Sequence, residues 1–405
     1  MVSTVQEPIR VAYLVPDVSI SLSAPGGPTA HIEGTIRGLR SQGLHPRLFV
    51  ASDYAQGSTK LNEGNLRTPR HTRKKAGPVR AAVQELRRRS QLRHLPKELV
   101  SDLEAFNPHA IYERSSIFSS AGLALSKRLK CAHLLETSCC EAEVFSETYG
   151  LFSVSACNWL EARKLHKADA VITQSRASVS FARAKFRLPQ SMPVIAKPVA
   201  CELSASTTLG EMPPSVAEFA VCFDLCVIFS GTFGSYQGPN FLMDVIKKAN
   251  GSCPRVGFVL CGAGGSQKVC EDFAKKFNLN NVLFTGMLKE IDLNLAQSVA
   301  DIAIVPDCVP YMSPIKTLHY GLSGVPVLVP NYEAFDGLIE NGVDGLKFVP
   351  GDADSVIQIL LEYSEKRGRL TEMGIAFRTK VACEFNTHES VRHVANFLRE
   401  KYKFK

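Results

Sequence analysis

Short apolar runs rich in β-branched residues alternate with amphipathic stretches along the first half of the chain. The first run extends from Arg10 to Val15, and further runs occupy residues 47–50, 109–112, 133–135 and 169–173. Apolar runs of this length separated by helical patterns are typical of parallel strands, because helices cover both faces of a parallel sheet. The pattern therefore predicts a doubly wound α/β domain, with a helix through Leu39 after the first strand.

The same alternation restarts in the second half, with runs at residues 226–231, 256–262, 281–286, 301–306 and 326–330. A polar stretch with several Ser, Thr and Pro residues, 201–214, separates the two series and is typical of a linker. Residues 388–402 predict an amphipathic helix with Val391, Val394, Phe397 and Leu398 on one stripe. We expect domains at 1–200 and 201–384, and a C-terminal helix within 385–405 that packs back on the first domain.

Composition agrees with an ordinary globular protein. The chain has 405 residues, 45% of them apolar and 21% charged, which suits two domains. No stretch approaches 18 apolar residues, so no transmembrane helix is predicted, and the first residues do not resemble a signal peptide. The twelve cysteines are scattered without a CxxC pair, which favours free thiols in a reducing compartment. The expected location is the cytoplasm.

The net charge of +8 is concentrated in one segment. Between Arg67 and Lys97 lie eleven Lys or Arg residues and a single acid, Glu85. Three interpretations stay open: a solvated helix face, contact with an anionic membrane surface or acceptor, and nucleic-acid binding. Nucleic acid is the least favoured, because the segment has no interleaved aromatic residues for stacking. We expect the segment to be peripheral to catalysis and at most to tether the protein to a membrane.

Glycine-rich turns follow several of the predicted strands, where doubly wound sheets bind ligands. Gly26 and Gly27 follow the first strand, and Gly231, Gly262 and Gly264 follow strands of the second half. Glycine allows backbone N–H groups to approach a phosphate without an intervening Cβ. None of the turns fits GxGxxG with an acid about twenty residues later, so a dinucleotide dehydrogenase is a poor fit.

The segment from Ser313 to His319 is the most informative one. Ser313 is a good N-cap and Pro314 suits the first helical position, so the N–H groups of Ile315 and Lys316 would face an anion. Lys316 adds a full charge in the first turn, and His319 lies on the same face. The pattern indicates a diphosphate site with His319 near the adjoining ribose. An ordinary capped helix with an exposed lysine explains the residues equally well.

Six segments, in the same order, resemble the GT4 family of retaining GT-B glycosyltransferases. They are the glycine turn at 25–27 and residues 107–116, 158–175, 230–238, 318–327 and 339–345. The resemblance implies two Rossmann-like domains facing across a cleft, the first for the acceptor and the second for a nucleotide-sugar. It also implies hexosyl transfer with retention, without a metal and with no cofactor besides the nucleoside-diphosphate sugar. The resemblance does not specify the acceptor, which is a small molecule, a glycan or a lipid-linked molecule.

The resemblance and the glycine-rich turns together indicate which residues act in catalysis and which bind the donor. We expect Arg114, Glu136 and Lys316 to act in catalysis, with Arg114 and Glu136 lining the acceptor side. The residues expected to bind the donor are Gly26, Gly27, Gly231, Thr232, Phe233, Gly262, Gly264, Met287, Ser313, Pro314, Ile315, Lys316 and His319.

Five positions depart from the family pattern. The paired glutamates of the family fall on Tyr311 and His319, the phosphate-binding Arg and Lys of the first loop fall on Thr232 and Gln237, and the family's catalytic His falls near Arg114. A neutral imidazole is able to hydrogen-bond a ribose, and Lys316 is able to replace the missing cations. The alternative hypothesis is a catalytically silent GT-B protein that binds or regulates a partner transferase.

Overall fold

The computed structural model describes residues 7–18, 20, 22, 27–55, 82–83, 85–89, 94–139, 141–201, 211–310 and 315–403. The chain divides into two compact units. Unit 1 comprises Met1–Ala200 and Thr387–Lys405, and unit 2 comprises Cys201–Asn386. Within the described ranges, no helix has both the length and the apolar character needed to cross a bilayer.

Unit 1 is built on a six-stranded parallel sheet with the order β2-β1-β3-β4-β5-β6. Its strands are β1 Arg10–Val15, β2 His45–Val50, β3 Ala110–Arg114, β4 Ala132–Glu136, β5 Ala170–Thr173 and β6 Val194–Ala196. Its helices before residue 200 are α1 Gly27–Ser41, α2 Ala51–Ala55, α3 Lys97–Phe106, α4 Ala121–Leu129, α5 Glu141–Tyr149, α6 Val154–Leu165 and α7 Arg176–Phe186. Both faces of β1 are buried, which explains its continuous apolar sequence.

Unit 2 repeats this architecture with the order β12-β11-β10-β7-β8-β9, again all parallel. Its strands are β7 Leu225–Ser230, β8 Val256–Cys261, β9 Val282–Gly286, β10 Ile302–Ile304, β11 Val327–Pro330 and β12 Gly345–Phe348. Its helices are α8 Pro214–Ala220, α9 Pro239–Ser252, α10 Gln267–Lys276, α11 Glu290–Ser298, α12 Ile315–Leu322, α13 Ala353–Ser364 and α14 Arg367–Glu384.

The strand order reverses once in each sheet, between β1 and β3 in unit 1 and between β7 and β10 in unit 2. Open α/β sheets form their ligand crevice beside the carboxyl ends of the strands at such a point. The predicted fold class, two doubly wound parallel-sheet domains, is confirmed. Each of the ten predicted strands overlaps an observed one. The prediction missed the two edge strands β6 and β12, which have only three and four residues and too little apolar alternation to be recognised.

The last part of the chain forms two helices, α15 Thr387–Ser390 and α16 Arg392–Tyr402, where one continuous helix was expected. Val391, Val394 and Leu398 are fully buried in the core that covers one face of the unit 1 sheet. Gly38 of α1 permits the close approach, since a Cβ there would overlap the carbonyl oxygen of Thr387.

Most of the basic segment lies outside the described residues, but its end is described and packs inward. The Arg88 guanidinium lies over the Phe145 ring at 4.6 Å, and Arg89 pairs with the buried Glu85 at 2.6 Å. Glu85 also accepts a hydrogen bond from the Phe152 N–H at 3.1 Å. The interpretation of a solvated face is therefore wrong for Arg88 and Arg89, because the sequence did not reveal aromatic and acidic partners from distant elements.

Candidate active site

In unit 2 the loops that follow β7 and β10 touch each other at the point where the strand order reverses. Gly238, which precedes α9, packs so closely on Asp307 that a Cβ would overlap the Asp307 carbonyl oxygen. The Val309 N–H donates to the Tyr236 carbonyl at 3.1 Å and fixes the same contact. Helix α12 begins shortly afterwards at Ile315. These elements form the wall that carries the polar side chains of the site.

Lys316, in the first turn of α12, supplies the positive charge. Its Nζ donates to Gln237 Oε1 at 2.8 Å and lies 4.6 Å from the centre of the Phe229 ring. No carboxylate lies within ion-pair distance of it among the described residues. Burial therefore lowers the pKa of Lys316 to about 7. This desolvated amine has no counter-ion at the position where a ligand of this fold is expected.

Gln237 connects Lys316 to two hydroxyl groups. Its amide Nε2 lies 3.3 Å from both Thr232 Oγ1 and the Tyr236 hydroxyl, and these two oxygens are 3.1 Å apart. Thr232 is exposed, so this polar chain leads from the buried amine to the surface. The sequence did not single out Tyr236, because nothing in its local pattern shows that it lies beside Thr232.

Gly231 faces this group, but its N–H is not available to a ligand. A Cβ at Gly231 would lie 2.9 Å from Lys316 Nζ and would overlap Gln237 Oε1, so only glycine leaves room for them. Its N–H donates to the Cys261 carbonyl at 2.9 Å. The expectation that this N–H binds diphosphate is wrong, because the ladder between β7 and β8 continues to this residue.

The glycines after β8 serve loop packing. Gly262 adopts φ 127°, and a Cβ at Gly262 or Gly264 would overlap the carbonyl oxygens of Gly231 and Thr232 respectively. The Gly262 N–H donates to the Gly286 carbonyl at 2.7 Å. The sequence predicted that both glycines bind the donor. In the structure, their lack of a side chain lets the loop after β8 pack against the loop after β7.

The other expected donor residues are dispersed around this wall. Phe233 has its side chain in the core against Phe229, with the ring centres 5.4 Å apart. His319 is exposed on α12, Ile315 is half-buried, and Met287 is 70% exposed just after β9.

Four positions named from the sequence, Gly26, Tyr311, Ser313 and Pro314, lie outside the described residues. Gly27 is the first residue of α1.

Sequence analysis missed Tyr320, which joins α12 to the end of β7. Its hydroxyl accepts hydrogen bonds from the Ser230 N–H at 2.7 Å and from Ser230 Oγ at 3.0 Å. Tyr320 is fully buried. The contact holds the first turns of α12, and with them Lys316, against the carboxyl end of β7.

In unit 1, Glu136 ends β4 inside a buried polar cluster. Its Oε1 lies 2.8 Å from His31 Nε2 and 3.3 Å from Lys197 Nζ, and its Oε2 accepts from the Tyr13 hydroxyl at 3.1 Å. Burial raises the pKa of Glu136, but His31 and Lys197 outweigh it and hold that pKa well below its usual range. The ionised Glu136 carboxylate is buried and engaged within the protein, and its expected role on the acceptor side stays a prediction.

Arg114 ends the neighbouring strand β3 and is only half-buried. Burial lowers its pKa, but the nearby Tyr13 and Glu136 outweigh this effect and raise it, so the guanidinium stays charged. Tyr13 hydrogen-bonds Arg114 and donates to Glu136, so it connects the two side chains. His31 and Lys197 were missed, because a histidine on a helix and a lysine after a short edge strand carry no signal of a shared carboxylate.

Comparison with known proteins identifies the family. The model of the glycosyl transferases group 1 matches residues 224–366, in unit 2, and that of the glycosyl transferase 4-like domain matches residues 26–196, in unit 1. The chain belongs to the GT4-like glycosyltransferases. The resemblance inferred from the six segments is confirmed.

One curated relative is the amylovoran biosynthesis glycosyltransferase AmsK of Erwinia amylovora, 32% identical over 85 residues. That match spans 21% of this chain and 21% of the relative.

Two similar solved structures are the sucrose-phosphate synthase of Thermosynechococcus elongatus and Anabaena HepE in complex with UDP and glucose. Both are 15% identical to this chain, and their TM-scores are 0.65 and 0.64. The two superpositions cover 98% and 97% of this chain, and each covers 100% of the other chain. At this identity the likeness concerns the fold alone.

Proposed function

We propose that this glycosyltransferase moves a sugar from a nucleoside-diphosphate donor to an acceptor with retention of configuration. Unit 2 binds the donor and unit 1 the acceptor. Lys316 neutralises the negative charge that develops on the departing diphosphate. The observation that supports this most directly is the partly buried Lys316 amine, which lies where the strand order reverses and has no carboxylate partner among the described residues.

The energetics of Lys316 favour an anionic ligand. A buried lysine without a counter-ion is destabilised in its charged form, and a diphosphate would supply that counter-ion. Charge-assisted hydrogen bonds are stronger than neutral ones, so the same contact stabilises the charge that develops as the sugar leaves. Gln237 and Thr232 would contribute further hydrogen bonds along the polar chain.

On the acceptor side, we place Arg114 and Glu136. The half-exposed Arg114 guanidinium is suited to hold a phosphate or a sugar oxygen. Tyr13 hydrogen-bonds Arg114 and donates to the Glu136 carboxylate, so it connects the two side chains.

Calorimetric titration with a panel of nucleoside diphosphates tests the donor site, starting with UDP because similar solved structures contain it. Labelled nucleotide-sugars and a set of acceptors then test transfer, and the anomeric configuration of the product, read by NMR, tests retention. Inversion would contradict the proposed stereochemistry.

Binding without transfer to any acceptor would favour the silent partner protein, for which the replacement of the family's glutamates by Tyr311 and His319 argues. Failure to bind any nucleoside diphosphate would reject the donor site itself.

A further inference from the structure

A basic groove lies between α4 and α6 of unit 1, with a volume of about 380 Å³. Ser153 caps the start of α6 by accepting a hydrogen bond from the Ala156 N–H at 3.2 Å, and the groove extends along the later turns of this helix. Its lining residues include Lys127, Arg163, Lys164, Lys167, Leu123 and Leu160.

The charge of the groove is uncompensated at its surface. Lys127, Arg163 and Lys167 are exposed, and in the described part of the chain none has a carboxylate within ion-pair distance. Lys164 also lines the groove, but it is only 2% exposed, donates to the Ser116 carbonyl at 2.7 Å and interacts with the carboxyl groups of Glu141 and Glu161, so it adds no free charge.

The acid of this helix does not neutralise the groove. Between residues 154 and 167 the single acid is Glu161, which is fully buried and accepts a hydrogen bond from Thr137 Oγ1 at 2.6 Å. Helix α4 contains no acid. Among the described residues, the groove therefore presents the cations Lys127, Arg163 and Lys167 to solvent and no acid.

The chain's single tryptophan stands beside these cations. Trp159 is 62% exposed, and the Arg163 guanidinium lies 5.7 Å from its ring centre. Phe152, just before α6, is 66% exposed. Exposed aromatic rings next to basic side chains are the arrangement found at membrane–water interfaces, where the ring enters the headgroup layer.

We propose that the groove between α4 and α6 binds the phosphate of an anionic lipid headgroup, while Trp159 inserts into the interfacial layer beside it. A free phosphate would use the cations but leave the exposed rings in water. Nucleic acid is disfavoured, because a single exposed tryptophan does not form a series of stacking platforms. The proposal concerns a membrane contact and does not depend on the sugar-transfer chemistry.

Because the chain has one tryptophan, its fluorescence reports on this surface. The full-length protein is mixed with vesicles of phosphatidylcholine alone or of equal parts phosphatidylcholine and phosphatidylglycerol. We expect a blue shift of Trp159 emission and co-sedimentation with the anionic vesicles only, both lost at about 1 M salt. Co-sedimentation without a blue shift would place the contact on another surface and overturn the proposal.

Charge-removal variants test the groove itself. The triple variant Lys127→Gln, Arg163→Gln, Lys167→Gln should weaken partitioning to anionic vesicles by about 100-fold, as expected for three cations near an anionic surface. The matched control is Lys247→Gln, Lys275→Gln, Lys276→Gln, which removes three exposed cations from unit 2 and should change partitioning far less. Equal losses in the two variants would show a general charge effect and overturn the proposal.

Two further measurements complete the test. Trp159→Ala should reduce co-sedimentation by about tenfold with an unchanged melting profile by circular dichroism, and parent-like partitioning would contradict the role of the ring. Inorganic pyrophosphate, added without vesicles, should leave Trp159 emission unchanged. A saturable emission change with pyrophosphate, together with no binding to vesicles, would identify a soluble anion as the ligand and overturn the lipid assignment.

Discussion

Glu136 is buried and Lys316 is partly buried, and the surroundings of these two ionisable side chains differ in one respect. Glu136 lies beside the Lys197 ammonium and His31, which hold its pKa well below the usual range, so it stays ionised whether or not a ligand is present. Lys316 has a neutral amide as its partner, and burial lowers its pKa to about 7. Lys316 is therefore the group of the two whose charge state responds to an incoming anion.

The affinity for nucleoside diphosphate should depend on pH through Lys316. Its pKa is about 7 in the free protein, and a bound diphosphate raises it. Above about pH 7 the neutral amine must take up a proton on binding, so affinity should fall by up to about tenfold per pH unit. Calorimetry in buffers of different ionisation enthalpy measures this uptake directly.

Lys316→Arg is the control, because an arginine does not titrate in this range and should remove the pH dependence while keeping the charge. Lys316→Ala should weaken binding by about tenfold or more at pH 7, the value of one charge-assisted contact. A pH-independent affinity of the parent protein, or parent-like binding by Lys316→Ala, would contradict the assignment.

His319 is predicted to contact the donor ribose in place of the family's glutamate. It is exposed on the same helix as Lys316 and so is accessible to a ligand. His319→Ala should weaken donor binding by about 1–2 kcal/mol, the value of one or two neutral hydrogen bonds. His319→Glu should retain or strengthen it, because a carboxylate accepts from both ribose hydroxyls. Titration of both variants decides the point, and parent-like affinity in both would remove His319 from the site.

At the scale of elements, the site depends on the contact between the loop that follows β7 and the loop that follows β8. The loop after β7 carries Thr232 and Gln237, and the loop after β8 packs on it through the Cβ-free positions Gly262 and Gly264. Backbone atoms form this contact, so it has little capacity to adjust when a side chain is added.

Gly264→Ala should lower the free energy of unfolding by about 2–3 kcal/mol, because the new Cβ would overlap the Thr232 carbonyl oxygen. It should also weaken nucleoside-diphosphate binding, since the displaced loop carries Gln237, the partner of Lys316. Gly265→Ala is the matched control: no atom lies within 4 Å of its Cβ position, and its cost should stay within about 0.5 kcal/mol. Equal behaviour of the two variants in denaturant titrations would contradict the proposed loop contact.

At the scale of the whole molecule, the C-terminal helices complete unit 1. Helix α16 contributes Val394, Ala395 and Leu398 to the core that also contains Val11 and Tyr13 of β1. A segment nearly two hundred residues beyond the first part of unit 1 thus covers one face of its sheet. The stability of unit 1 therefore depends on both ends of the sequence.

Leu398→Ala should destabilise unit 1 by about 2–5 kcal/mol, the usual cost of truncating a fully buried leucine. Leu86→Ala is the control within the same unit, because Leu86 is 68% exposed and should cost less than about 0.5 kcal/mol. Hydrogen exchange read separately on the strands of the two sheets measures the effect. An unchanged unit 1, or equal loss of protection in both sheets, would contradict this role of α16.

Local pattern was sufficient for the architecture. The apolar runs at ten strands and the turns between them are repeated signals over short distances, and they predicted two doubly wound sheets. The family came from the resemblance of six short segments. The same kind of signal placed Lys316 in the first turn of a helix after β10.

Only the tertiary structure decided which of the named residues have polar groups available to a ligand. Lys316 meets Gln237 across 79 positions and Glu136 meets His31 across 105, and no local pattern encodes such contacts. The Gly231 N–H, expected to bind a ligand, is already bonded to Cys261 of the next strand. Burial, partner and charge state depend on what packs against a residue, and the sequence around the residue does not contain that information.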